Sequence, residues 1–207
     1  MGEEGSIHSK PLSAVVEAFE ELARIIESGP KDLRLAQFSD ACSLVSVLFG
    51  CLGMAFKFAE LEYVAKVHDL LEASKTYNTL ENVLDHDIDN DTVRKPGSHS
   101  RNLRRVRLGL DLLRALFEQF LSPNGCSLKE AASTAYTQVC APYHKWAIRK
   151  AVSVGMYALP TKEQLILKLN ETDGTVQKGM ERYIAACSPI IQYIDNLYLS
   201  KDITLDW

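Results

Sequence analysis

The stretch Ser98–Phe117, SHSRNLRRVRLGLDLLRALF, limits most strongly what this chain can build. It opens on a helix-capping serine and continues at helical period. At 100° per residue, Arg101, Arg105, Leu108, Leu112 and Leu116 fall on one narrow stripe. The first turn of that stripe carries two guanidinium groups and the later turns carry only aliphatic side chains. From Arg101 to Leu116 it runs roughly 22 Å, at about 1.5 Å per residue. A cationic end joined to an apolar track fits a molecule with an anionic head and a long apolar tail. The same two arginines also fit a plainer reading, as solvated side chains on an exposed turn. A second stripe, Val106, Leu110, Leu113, Phe117 and Phe120, faces another way and can pack a core.

The length of 207 residues and an apolar content of 46% allow one sizeable core. No apolar run reaches the roughly 18 residues of a membrane span, and Met1–Lys10 has no apolar signal segment. The five cysteines are odd in number, widely spaced and without a C-x-x-C pair. A disulfide framework or a zinc site is not expected, and a reducing cytosol is the expected setting. A net charge of −4 argues against a general nucleic-acid binder. The basic residues are nevertheless clustered, because Arg94, Lys95, Arg101, Arg104, Arg105 and Arg107 all precede the next acid, Asp111. Such a local positive potential suits a specific anion site.

Along the chain, residues 1–11 read as a loose tail and 12–207 as a single domain. Helical periods run over Leu12–Glu27, Phe38 to about Leu71 (one long helix, bent near Gly50 or Gly53), Asn78–Asp91, Ser98–Phe120, Leu128–Cys140, His144–Tyr157, Thr161–Leu169 and Val176–Leu199, with Pro189 inside the last as an expected kink. No stretch alternates with period two for long enough to make a strand. The class is all-α, with about eight helices. On the long second helix, Leu44, Leu48, Cys51, Ala55, Phe58, Glu62 and Lys66 share a stripe whose charged pair comes last. Packed antiparallel to Ser98–Phe120, it would bring Glu62, Lys66, Arg101 and Arg105 together above an apolar slot. Taken alone, Glu62 and Lys66 equally describe a surface i,i+4 pair worth about 0.3–0.5 kcal/mol. His144, Ile148 and Val152 share a face. His144 is either a structural histidine or a donor to the polar pocket. Trp146 is either core or, with Lys145, Arg149 and Lys150 around it, a residue of a membrane–water interface.

Asp85–Asp91 resembles the start of a calcium loop but has Asn90 where glycine is required and Pro96 where the closing glutamate belongs, so no metal is expected there. There is no phosphate-binding glycine loop, no G-x-S-x-G and no H-E-x-x-H. Nothing pairs a nucleophile with a base, and neither an enzyme nor a cofactor is expected.

Four long strings identify a family resemblance: AQFSDACSLVSVLFGCLGMAFKFAELEYVAKV (36–67), VRKPGSHSRNLRRVRLGLDLL (93–113), APYHKWAIRKAVSVGMYALPT (141–161) and YIDNLYLSKDITLDW (193–207). The chain resembles the glycolipid transfer protein family over nearly everything after Leu12. Within the family it looks most like the plant accelerated-cell-death branch, which transfers ceramide-1-phosphate. The resemblance implies a two-layer all-α sandwich holding one sphingolipid, head in a surface polar site and chains between the layers. It implies a headgroup site of Glu62, Lys66, Arg101, Arg105 and His144. The helical stripes themselves give the expected slot, Leu44, Leu48, Phe58, Leu108, Leu112, Leu116, Ile148 and Val152, and the cations around the indole give an expected reversible membrane contact through Trp146, Lys145 and Arg149. Arg105 stands at the position of the family's sugar-stacking Trp and Lys66 at that of its Asn, changes expected when a sugar is replaced by a phosphate. His144 falls on the family histidine that binds the ceramide carbonyl. Glu62 stands where the family has Asp, its carboxylate one methylene further out, and Lys145 stands where the family often has Gly. The expected function is a non-vesicular carrier of ceramide-1-phosphate in the cytosol, transiently at membranes. The competing reading is a lipid-regulated adaptor that binds the same lipid without bulk transfer.

Overall fold

Capping chemistry sets most helix starts. The side chains of Thr79, Ser98, Ser127, Thr161 and Thr172 each accept a hydrogen bond from the backbone N–H three residues on, which satisfies one of the donors a helix leaves open at its N-terminus. The computed structural model describes residues 10–29, 32–123 and 125–207. Among these it has nine α-helices: α1 Pro11–Glu27, α2 Leu35–Cys51, α3 Lys57–Ala73, α4 Leu80–Asp89, α5 His99–Leu121, α6 Leu128–Val139, α7 Trp146–Gly155, α8 Lys162–Lys168 and α9 Asp173–Leu199. The expected N-terminal tail falls on residues of which 1–9 lie outside the described ones, and Pro11 already opens α1. The only strand-like pairing among the described residues is an isolated bridge between Arg34 and Thr79. Helix α9 continues through Pro189.

The long second helix is the main correction to the sequence reading. Helical period does persist from Leu35 to Ala73, but the chain reverses at Gly53, whose φ of +77° is open to glycine at little cost. A short 3-10 turn, Met54–Phe56, leads into α3. Helices α2 and α3 therefore lie side by side as a hairpin, with the Tyr63 hydroxyl on α3 donating to the Cys42 carbonyl on α2 at 3.0 Å. Leu44 to Lys66 is not one stripe. Leu44 and Phe58 are exposed, and only Leu48 of the apolar set on α2 is buried. Periodicity cannot register such a reversal, because a helix restarted after a tight turn keeps nearly the same phase.

The helices form two layers. Helix α2 packs between α1 and α3, and α5 packs between α9 and α6; α1 lies on α9 and α3 lies on α5. The core between them is one continuous cluster. Helix α7 touches the Met54–Phe56 turn and runs directly into another 3-10 turn, Met156–Ala158. No helix among the described residues is long and apolar enough to cross a membrane.

The α3–α5 contact is unusually close at Gly109. A Cβ added there would lie 2.8 Å from Cδ2 of Tyr63, and the Tyr63 ring is buried and fixed by its hydrogen bond to α2. Gly109→Ala gains about 1 kcal/mol of helix propensity but forces an overpacked contact costing typically 1–3 kcal/mol. The expected outcome is a lower urea midpoint for Gly109→Ala; an unchanged or raised midpoint would mean that the two helices separate freely at this point.

Candidate functional site

The antiparallel crossing of α3 and α5 assembles the polar residues. At one end Asp69 accepts from Asn102 Nδ2 at 2.9 Å and pairs with His99 Nδ1 at 2.8 Å. At the other end Tyr63 meets Gly109. Lys66 lies between Tyr63 and Asp69 on α3 and Arg105 between Asn102 and Gly109 on α5, so both belong to the stretch where the two helices pack. Helix α5 carries Arg101 one turn before Arg105. Lys66 Nζ is held at 2.5 Å by Glu62 Oε2 and at 3.3 Å by the Glu62 carbonyl.

The arginines of α5 divide into two sets. Arg107 and Arg114 share Asp111, Arg107 also takes Asp195 with two bonds, Arg114 reaches Glu118, and Arg104 lies 3.5 Å from Asp195. Arg101 and Arg105 have no ion-pair partner among the described residues. Arg101 Nη1 donates to the Arg94 carbonyl at 2.8 Å. Arg105 Nη1 is buried with no hydrogen-bond partner. An unpaired buried donor on a charged group is costly, and an anion is what would satisfy it. Burial, then Arg101 and Arg104, pull the pKa of Arg105 below the usual guanidinium value.

His144 joins from the opposite wall. It follows the 3-10 turn Ala141–Tyr143 at the approach to α7. Its Nδ1 lies 2.8 Å from the hydroxyl of Tyr136 on α6. Burial first, and the charge of Arg105 second, lower its pKa. Both favour the neutral ring. With the tyrosine donating to Nδ1, the ring proton sits on Nε2 and is available to a carbonyl acceptor.

Of the residues expected to form the slot, Leu48, Leu108, Leu112 and Leu116 are buried between the layers and Val152 is half-buried, whereas Leu44, Phe58 and Ile148 lie on the surface. Trp146 is 67% exposed, so it is not a core residue, and Lys145 and Arg149 are exposed beside it. Three participants have no signal in the sequence. Tyr136 reaches His144 from α6, Asp69 bridges to α5 from further along α3, and Arg104 looks no different from Arg105 until burial separates them.

A model of the glycolipid transfer protein family matches residues 33–171, more than half of the chain. The chain belongs to the glycolipid transfer protein family. The Arabidopsis thaliana ACD11 homolog protein is 61% identical over 203 residues, covering 95% of this chain and 89% of that one. Arabidopsis Accelerated cell death 11 is 53% identical over 199 residues, covering 96% and 97%. A crystal structure of a mutant of Arabidopsis ACD11 complexed with C12 ceramide-1-phosphate superposes with a TM-score of 0.94 at 52% identity, over 97% of this chain and 100% of that one.

The lowered pKa of His144 has a measurable consequence for stability. The unfolded chain takes up this proton at its ordinary value of 6.5, and the folded chain only below that. The stabilisation is therefore complete above about 6.5 and is lost as the pH falls towards the folded value. Between those points the wild type should lose more stability than His144→Gln, as urea unfolding at stepped pH would report. Parallel curves for the two proteins would place His144 in a water-like setting.

Proposed function

We propose that this protein carries ceramide-1-phosphate between membranes. The carrying observation is the unpartnered, buried Nη1 of Arg105 at the polar end of an otherwise apolar stripe. Its support is the family membership together with the likeness to an ACD11 structure described as complexed with that lipid. Arg105 and Arg101 supply forked donors to the phosphate, and Lys66 turns from Glu62 to the phosphate as a third cation. Glu62, thus released, accepts from the amide N–H and hydroxyl of the sphingoid base. His144 Nε2–H donates to the amide carbonyl. The chains lie along Leu48, Leu108, Leu112 and Leu116, with Val152 contributed by α7.

The energetics fit a carrier better than an enzyme. A lipid in a bilayer already has its chains buried, at about 0.8 kcal/mol per CH₂, so moving them into an equally dry slot is nearly neutral. Selection then falls to the head, where hydrogen bonds to charged groups contribute about 1.5–3 kcal/mol each. Enclosing the chains lowers the barrier to passage through water, and no covalent step is involved. Arg105→Leu is expected to abolish ceramide-1-phosphate transfer between vesicles while leaving the helical content and unfolding midpoint near wild type. A folded variant that transfers at the wild-type rate would remove Arg105 from the site. Stoichiometric binding by the wild type without turnover would turn the reading towards an adaptor.

Membrane contact belongs to the same reading, for a protein of the cytosol that visits membranes reversibly. Helix α7 buries none of its residues. Trp146 projects from its first turn with the Lys150 ammonium 5.1 Å from the ring, and Lys145 and Arg149 flank it. Met54 and Phe58, at the turn that α7 touches, are exposed as well. Anionic headgroups attract the cations, and the indole anchors at the interface. Trp146→Ala should weaken partitioning to anionic vesicles several-fold while the affinity for short-chain ceramide-1-phosphate in solution stays the same. Equal loss of both would make Trp146 part of the lipid site rather than of the membrane contact.

A further inference from the structure

Helix α5 holds one more guanidinium that is deeply buried, incompletely partnered and not part of the headgroup reading. The Arg104 side chain is 2% exposed. Its Nη2 donates to the Leu205 carbonyl at 2.8 Å and lies 3.5 Å from the Tyr143 hydroxyl. Its Nη1 reaches Asp195 Oδ1 only at 3.5 Å, and its Nε has no partner among the described residues. Asp195 is already committed, since its two oxygens accept from Nε and Nη2 of Arg107 at 2.8 and 2.5 Å. A buried arginine is normally matched by a carboxylate in a paired geometry. Arg104 is matched chiefly by a carbonyl and by the Tyr143 ring, whose centroid is 5.5 Å from its Cζ. These neutral groups solvate the cation, and the long contact with Asp195, an oxygen shared with Arg107, is its one ion pair among the described residues.

The place where that charge is felt follows from the helix. Arg104 is next to Arg105 and one turn from Arg101, and Tyr143, under its guanidinium, immediately precedes His144. On its other side, Arg107 and Arg114 meet three carboxylates, Asp111, Glu118 and Asp195, an excess of one negative charge that Arg104 balances. Arg104 is thus the positive end of this row of charges, and that end lies against the headgroup site.

We propose that Arg104 is a positioning residue that makes the site select a phosphate monoester over a phosphodiester of the same ceramide, without touching the lipid. This rests on the headgroup reading given above. A monoester carries close to two negative charges near neutral pH, and a diester carries one. A third cation behind Arg101 and Arg105 therefore attracts the monoester about twice as strongly. Glu62 and Lys66 from α3, Arg101 and Arg105 from α5 and His144 before α7 are the same in wild type and in an Arg104 variant, so the change in the ratio of the two affinities between those proteins isolates the contribution of Arg104.

The experiment compares binding of short-chain ceramide-1-phosphate and of its methyl phosphodiester by calorimetry at low salt, for wild type, Arg104→Met and Arg104→Lys. Hydrogen exchange over residues 203–207 reports whether the C-terminal segment stays docked. Arg104→Met is expected to lower the monoester-to-diester affinity ratio by on the order of tenfold, whereas Arg104→Lys, which keeps the charge and loses the fork, retains it. An unchanged ratio in a folded Arg104→Met protein overturns the proposal. So does loss of both ligands in equal proportion by both variants with faster exchange at 203–207, which would make Arg104 an anchor for the chain end. If Arg104→Met does not fold, Arg104→Lys decides alone, and a folded lysine variant that has lost the preference overturns the proposal. A wild type that binds neither lipid removes the headgroup reading itself, an outcome distinct from a wild type that binds both lipids with equal affinity.

Discussion

The headgroup end depends on how closely α3 and α5 approach. The missing side chain at Gly109 lets the Tyr63 ring lie against the backbone of α5, and the Tyr63 hydroxyl carries the contact through to α2. Two turns away, Asp69 gathers Asn102 and His99 from α5. Lys66 and Arg105 are caught between these two fixed points. Lys66 is paired there with Glu62, while the charges that act on Arg105 are those of Arg101 and Arg104 on its own helix.

Helical geometry also decides which arginines are free to bind. Asp111, Glu118 and Asp195 all reach the same side of α5 and are used by Arg104, Arg107 and Arg114. Arg101 and Arg105 look out over a different face, where the described structure offers no carboxylate within ion-pair reach. A single helix thus ties one set of guanidinium groups into the fold and leaves another set without an ion-pair partner among the described residues, without any difference in residue type.

This sorting explains what was legible in the sequence. The stripe from Arg101 to Leu116 is visible because it lies within one uninterrupted helix, where 3.6-residue periodicity holds. The break at Gly53 was not visible, since the apolar period passes through it, and with it the supposed common stripe from Leu44 to Lys66 fails. The packing of α3 on α5 was still foreseeable, because it needs only the second half of that misread helix to run antiparallel to α5. The Tyr136–His144 bond and the division of Asp195 between Arg107 and Arg104 join residues far apart in the chain. Such contacts follow from tertiary packing, about which local pattern is silent. The surface position of Phe58 and Ile148 has the same origin: each sits on an amphipathic stretch whose partner face cannot be named from sequence.

Helix α7 has a thermodynamic consequence that follows from its lack of buried side chains. A ten-residue helix is marginal in water by itself, and this one gains almost nothing from the core. It is secured at its ends, by the His144–Tyr136 bond before it and by buried Met156 after it. Its free energy of local opening must therefore be far below that of the two layers. The segment can unravel and re-form as a separate cooperative unit while the layers remain folded. The part of the core that Val152 covers can accordingly be exposed many times within one lifetime of the native state, without global unfolding.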